Sequence, residues 1–312
     1  MTTLLYVQPN SDDHVTPPGH PERPDRLKRL KTLFDSDRFE GIERHEVEPA
    51  DYALAETVHS AHFIEQVLST RPAEGIAQLD PDTYISPKSL EVASTALGAA
   101  LSALDSVMQG EANNAFCAMR PPGHHAERDK PMGFCLVNTI AVAAHMAREK
   151  HGAERVAIVD FDVHHGNGTQ NIFETVPDVF YASSHQAPLY PGTGDASETG
   201  VGNIVNVPLA AHSDGSAMRE AYNDRILPAL NAFSPDVLLV SAGFDADTRD
   251  PLAQLDWGPQ DFAWVTGKLM DIAERRCSNR LVSLLEGGYD LEGLADGVEA
   301  HLNMLFKGTT TG

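Results

Sequence analysis

The chain has 312 residues, 42% of them hydrophobic, with 45 acidic against 23 basic side chains and a formal charge of −22. That balance argues against DNA or an anionic lipid surface as a direct partner, and it would steer cationic ligands inward. Cys117, Cys135 and Cys277 form no CxxC pair, which excludes a disulfide framework and a structural zinc finger and suits a reduced compartment.

The start, MTTLLYVQP, lacks a basic segment and its apolar run is too short for a signal peptide, and no later run reaches about 18 apolar residues. A soluble, cytoplasmic protein without membrane contact is expected, with one domain over residues 1–312. A strand at Leu4 to Val7 is followed by a proline-rich loop, Asp12 to Pro24, and an amphipathic run, Arg26 to Phe34. Helices are predicted over Glu56 to Leu68 and Pro87 to Met108, the second stopped by Gly110. A strand at Ala115 to Met119 ends in RPPGHHAERDKPMGF, and a helix from Leu136 to Lys150 closes at Gly152.

Strands and helices then alternate. Strands are predicted at Val156 to Val159, Val179 to Ser183, Ile204 to Val207, Val237 to Val240 and Leu281 to Leu285. Helices are predicted at Thr169 to Thr175, Ser216 to Phe233, Asp261 to Arg276 and Leu291 to Phe306, with a frayed tail, GTTTG. Wholly apolar strands alternating with helices imply a parallel sheet covered on both faces. Four of these strands end in polar chemistry: His124 and His125, Asp160 to His165, Ser241 to Asp247, and Glu286 to Asp290. Ligands bind outside the carboxyl ends of such strands, so the four segments predict one site.

The central stretch is Val156 to Gly168, VAIVDFDVHHGNG. If the strand continues, its period of two points Asp160, Asp162 and His164 to one face. Aspartates also cap strand ends, but burying two carboxylates requires compensating charge, and Asp245 stands at another strand end. Asp162, His164 and Asp245 would form a three-ligand metal site with an open position. Two carboxylates neutralise the metal's charge, which makes a separate general base useful; His124 and His125 supply it. Tyr289, freed by Gly287 and Gly288, can donate to a developing oxyanion. Gly133 with Phe134, and Tyr190, are candidate walls of a channel or ordinary packing residues, and His165 is read as structural.

RPPGHHAERDKPMGFCLVN, DFDVHHGNGTQ, YPGTGD, SAGFDAD and EGGYD, in that order and preceded by HPERPDRL, resemble the histone deacetylase family with its bacterial deacetylase and acetylpolyamine amidohydrolase relatives. The resemblance covers nearly the whole chain, and the compact length fits a bacterial member. It implies an arginase-like α/β three-layer sandwich around a mostly parallel sheet of about eight strands, and zinc-dependent hydrolysis of acyl-lysine amides in proteins or peptides.

By that resemblance Asp162, His164 and Asp245 hold one zinc ion per chain. His125 is the general base and then acid, with His124 as its electrostatic partner. Asp160 orients His124, Asn167 orients His125, and Tyr289 polarises the carbonyl. Asn167 resembles class II members, and a neutral partner leaves His125 less basic than a carboxylate would. The resemblance also implies a potassium ion at Asp160, Asp162, His164, Ser183 and Ser184, an acyl-lysine tunnel at Gly133, Phe134 and Tyr190, and a gatekeeper at Leu252. Leucine there leans toward acyl-lysine over acetylated polyamines. Asp247 and Arg249 depart from the small residue and glycine of many relatives. The rivals are an acetylpolyamine deacetylase, a binuclear manganese ureohydrolase suggested by Asp245 and Asp247, and a non-catalytic module for acylated ligands. The oligomeric state stays open.

Overall fold

The computed structural model describes residues 1–308; four residues of the predicted tail, 309–312, lie outside them. Eight strands form one sheet: β1 (Thr3–Val7), β2 (Glu43–His45), β5 (Asn114–Ala118), β6 (Val156–Asp160), β7 (Val179–Gln186), β8 (Ile204–Leu209), β9 (Val237–Ala242) and β10 (Leu281–Leu285). Their order is β2-β1-β5-β10-β9-β6-β7-β8, and every neighbouring pair is parallel. A hairpin of β3 (Ala77–Asp80) and β4 (Thr83–Ile85) stands apart.

The central strands read as mostly apolar runs because both faces are covered. In β6, Val156 and Ile158 enter one hydrophobic cluster, with Leu97, Leu104 and Ile140 of helices α3 (Ser89–Gln109) and α4 (Thr139–Glu149). Ala157 and Val159 enter the other, with Leu27, Phe262, Leu269, Val298 and Leu302 of α1 (Asp25–Phe34), α8 (Pro259–Arg276) and α9 (Leu291–Lys307). The expected three-layer α/β architecture is what forms.

Local chemistry moved several boundaries. The helix expected from Glu56 starts later, as α2 (Ala61–Thr70), because Ser60 caps it by accepting from Phe63 N at 3.2 Å; a 3-10 turn, Tyr52–Thr57, precedes it. Likewise α4 starts at Thr139 because Asn138 Oδ1 accepts from Ala141 N, and the helix expected at Thr169 to Thr175 runs as α5 (Asn167–Phe173). The helix expected over Ser216 to Phe233 divides into α6 (Gly215–Ala221), a π-helical segment at Tyr222–Ile226, and α7 (Leu227–Phe233). Pro228 has no N–H to donate to the preceding turn, which breaks the regular ladder there. Short, partly exposed β2 and the polar β3–β4 hairpin carry no apolar period, and neither was foreseen.

Candidate active site

β5, β10, β9, β6 and β7 are consecutive in the sheet, so their carboxyl ends converge. Strand geometry does not aim the side chains of the central stretch, as the period of two had suggested, because β6 ends at Asp160. Beyond it the chain bends through side-chain to backbone bonds: Asp162 N donates to Asp160 Oδ1 at 3.1 Å, and His164 N to Asp162 Oδ1 at 2.9 Å. Neighbouring loops add Gly287 N on Asp162 Oδ2 at 2.8 Å, while Asp245 Oδ1 accepts from Val163 N at 2.9 Å. Each carboxylate is thus fixed by the backbone of a segment other than its own.

The result is a buried group in which Asp162, His164 and Asp245 offer ligand atoms all within 4.8 Å of one another, the one such cluster among the described residues. His164 Nδ1 lies 3.1 Å from Asp162 Oδ1 and 3.1 Å from Asp245 Oδ2. One Nδ1 proton cannot serve two carboxylates, whereas ligands about 2.1 Å from a tetrahedral ion stand about 3.4 Å apart. The three residues therefore fit a divalent cation. Burial and the Asp162 carboxylate push Asp245 up to about 7, an opposition to charge that a divalent cation between the two would offset. Close approach requires glycine at Gly287, where a Cβ would stand 2.1 Å from Asp245 Oδ2.

The two histidines lie beside this group with ring centroids 4.0 Å apart. His124 Nδ1 is 2.9 Å from Asp160 Oδ2, which also accepts from Tyr181 Oη at 3.1 Å. Burial opposes charge on His124, but the carboxylates of Asp160, Asp162 and Glu286 hold its pKa well above the usual histidine value. His125 is the reverse: burial, then positive charge on His124 and His164, holds it well below. Asn167 Nδ2 donates to Glu127 Oε1 at 2.6 Å, so its Oδ1 is the atom facing His125 Nδ1 at 2.8 Å. That assigns the His125 proton to Nδ1 and leaves Nε2 as a free base. His165 turns away, bonded to Thr193 Oγ1 and Gln170 Oε1 at 2.8 and 2.9 Å.

A cavity opens above, lined by Asp82, His125, Gly133, Phe134, His164, Leu189, Tyr190, Leu252 and Tyr289. Tyr190 stands edge-on to His125 with centroids 5.2 Å apart, and Phe134 edge-on to Tyr289 at 5.7 Å. Tyr289 is placed by its backbone N–H, which donates to Asp250 Oδ2 at 2.8 Å, and by the Arg26 guanidinium 5.0 Å from its ring centre. At Gly133 φ is +58°, and a Cβ would strike the His125 ring at 2.3 Å. Ser183 Oγ pairs with His185 Nδ1 at 2.9 Å and Ser184 Oγ with Tyr222 Oη at 3.3 Å, so neither hydroxyl lines the cavity. Asp247 is gripped by Arg249 at 2.7 and 2.8 Å and takes no part in the cation-binding group.

The family profile described as "Histone deacetylase domain" matches residues 20–305. The chain belongs to the histone deacetylase family. It is 43% identical over 298 residues to the uncharacterized protein slr0245 of Synechocystis, across 94% of this chain and 95% of that one. It is 42% identical over 284 residues to the histone deacetylase-like amidohydrolase of Pseudomonas aeruginosa, across 88% and 74%. A crystal structure of the HDA15 HD domain superposes with a TM-score of 0.92 at 35% identity, covering 99% of this chain and 89% of that one.

As a histone deacetylase family member the protein is a hydrolase acting on amides. The sequence reading gave no role in this deacetylase to Asp82, Leu189, Asp250 or Arg26, and none to Glu286 beyond its place at a strand end. Asp82 follows Pro81 at a hairpin turn, and its Oδ1 accepts from Gly133 N at 3.0 Å. Arg26 opens the amphipathic run, yet it is fully buried and donates to the carbonyls of Glu286 and Gly288 at 2.5 and 2.7 Å. Glu286 was visible in EGGYD, but its partners are scattered over 163 positions of sequence. Only its placement before the glycine pair hinted at a role.

Proposed function

We propose that this chain is a single-domain, zinc-dependent deacetylase that removes acetyl or other acyl groups from the side-chain amine of lysine in proteins or peptides. The observation that carries the reading is the apolar cavity, lined by Phe134, Tyr190, Leu189 and Leu252, that ends at His164, His125 and Tyr289. An extended alkyl chain suits such walls, and its amide would then meet the polar floor. Asp162, His164 and Asp245 would hold the zinc, which supplies Lewis-acid activation of water and of the acyl carbonyl.

The chain's own groups divide the proton work. Neutral His125 Nε2 takes a proton from the attacking water, while its Nδ1–H stays on Asn167 Oδ1. Tyr289 Oη donates to the carbonyl oxygen as negative charge develops. His124, held charged by Asp160, stabilises that negative charge and lowers the proton affinity of His125, which keeps His125 neutral until the water attacks and makes it a ready donor afterwards. His125 then returns its proton to the leaving nitrogen as the C–N bond breaks, giving a carboxylate and an amine. Asp160, Asp162 and His164, with Ser183 and the Ser184 carbonyl, would supply the oxygen ligands of the potassium ion that the family resemblance implies, a hard cation.

Acetylated polyamines are the second reading, favoured by the Asp82 carboxylate in the cavity wall and by the acidic chain. Leu252 at the same cavity supports acyl-lysine, since a leucine offers a cationic amine nothing. Parallel assays of acetyl-lysine peptides, longer acyl-lysines and acetylated polyamines, with metal content measured on the same preparation, decide between them. A higher kcat/KM on polyamines would overturn the lysine reading. Two manganese ions per chain instead of one zinc would overturn the metal.

A further inference from the structure

The loop that carries both histidines is unusually short of backbone donors. Pro121 and Pro122 have no N–H, so the first amides after Arg120 are those of Gly123 and His124. Both converge on one oxygen: Glu286 Oε2 accepts from Gly123 N at 2.7 Å and from His124 N at 3.2 Å. Its other oxygen, Oε1, accepts from Ser241 Oγ at 3.1 Å. Glu286 itself is 1% exposed and locked at the end of β10 by its own N–H on Ala242 O, at 2.9 Å, and by Arg26 Nη2 on its carbonyl, at 2.5 Å.

We propose that Glu286 is the positioning residue of the histidine pair: its carboxylate pins the Gly123–His124 turn to the ends of β9 and β10 and thereby sets where the two imidazoles stand. The rings have one side-chain bond each, to Asp160 and Asn167, and those fix rotation about the ring. The backbone from which the rings project is held on its N–H side by Glu286 alone, and on its carbonyl side by Ala126 N on Gly123 O and Thr169 N on His124 O, both at 3.1 Å. Directly beyond the anchored turn lies His125, the base of the proposed reaction. Displacing a reacting group by about 1 Å costs on the order of 100-fold in rate.

The positioning is carried by the hydrogen bonds, while the charge of Glu286 adds to that of Asp160 and Asp162 in keeping His124 protonated, and two variants separate these. Glu286→Gln keeps an oxygen for the two amides and can donate its NH2 to Ser241 Oγ, but removes the charge. Glu286→Asp keeps the charge and withdraws it by one methylene from the turn. The expected result is a kcat for E286Q at least about fivefold above that of E286D, with KM for an acetyl-lysine peptide within about twofold of wild type in both. E286D outperforming E286Q would overturn the proposal.

The kinetic arm rests on the deacetylase reading, so amide hydrogen exchange is measured alongside it. The Gly123 and His124 amides stay protected in wild type and E286Q and exchange at least about tenfold faster in E286D. Unchanged protection in E286D would overturn the anchor whatever the activity. A wild-type protein without acetyl-lysine turnover would overturn the functional reading, and exchange alone would then decide the role of Glu286.

Discussion

Replacing Asn167 by Asp tests whether His125 works as a base in its neutral form. The amide oxygen lies 2.8 Å from His125 Nδ1. A carboxylate there, with charge centres ~4 Å apart, favours the imidazolium by about 4 kcal/mol at an effective dielectric of 20, or about three pK units. Two effects oppose this. Asn167 Nδ2 now donates to Glu127 Oε1 at 2.6 Å, so the new carboxylate would face another, and burial raises its own pKa. A net rise of about one to two units in the His125 pKa is expected.

The sign follows from the role. A base acts only when neutral, so kcat/KM climbs with pH through the His125 pKa, which burial, His124 and His164 hold well below the ordinary histidine value. The variant's acid limb therefore moves to higher pH, so the variant falls furthest below wild type at the acid end of the profile and converges with it on the alkaline side. kcat/KM measured from about pH 5 to 9 on an acetyl-lysine reporter reads this directly. A limb that stays in place, or moves to lower pH, would refute the assignment of His125.

Tyr289→Phe removes one hydroxyl and keeps the ring's packing on Phe134 and Arg26; kcat should fall by about 100-fold or more while urea unfolding shifts by less than about 1 kcal/mol, and near-wild-type turnover would sink the oxyanion role. Chelation should abolish turnover and lower the unfolding temperature, because a ligand present at 100 times its Kd stabilises the fold by about 2.7 kcal/mol; calorimetry with zinc added back checks the reversal. His301 is buried between Thr266 Oγ1 and Ser283 Oγ, at 2.6 and 2.8 Å, and burial lowers its pKa to about 3. A neutral buried histidine contributes stability above its unfolded pKa of about 6.5 and loses it as pH falls, so wild type should lose about 2 kcal/mol more than His301→Gln between pH 7 and 5 in urea titrations. Equal losses in the two proteins would contradict that account.

Much of the fold was legible because parallel strands covered on both faces are mostly apolar along their length, and β6, β9 and β10 announce themselves that way. Short edge strand β2 and the β3–β4 hairpin were silent, since neither buries a full face. Helix starts at Ser60 and Asn138 were decided by single capping bonds, which shift a boundary without altering the pattern around it.

For the site, residue types at strand ends were enough to gather Asp162, His164, Asp245, His124, His125 and Tyr289 into one place, because a parallel sheet brings its carboxyl ends together. How they are aimed was not in the pattern. The expected strand period stops at Asp160, and Asp162 is instead oriented by Gly287 N, 125 positions away. Asp247, a plausible ligand by spacing, is drawn off by Arg249. Arg26 and Glu286 belong to segments 260 positions apart and act only because the sheet places α1 beside the end of β10. Spacing along a chain reports which groups share a strand end. Hydrogen bonds between distant segments depend on ångström-scale approach, and that exists only once the layers have packed.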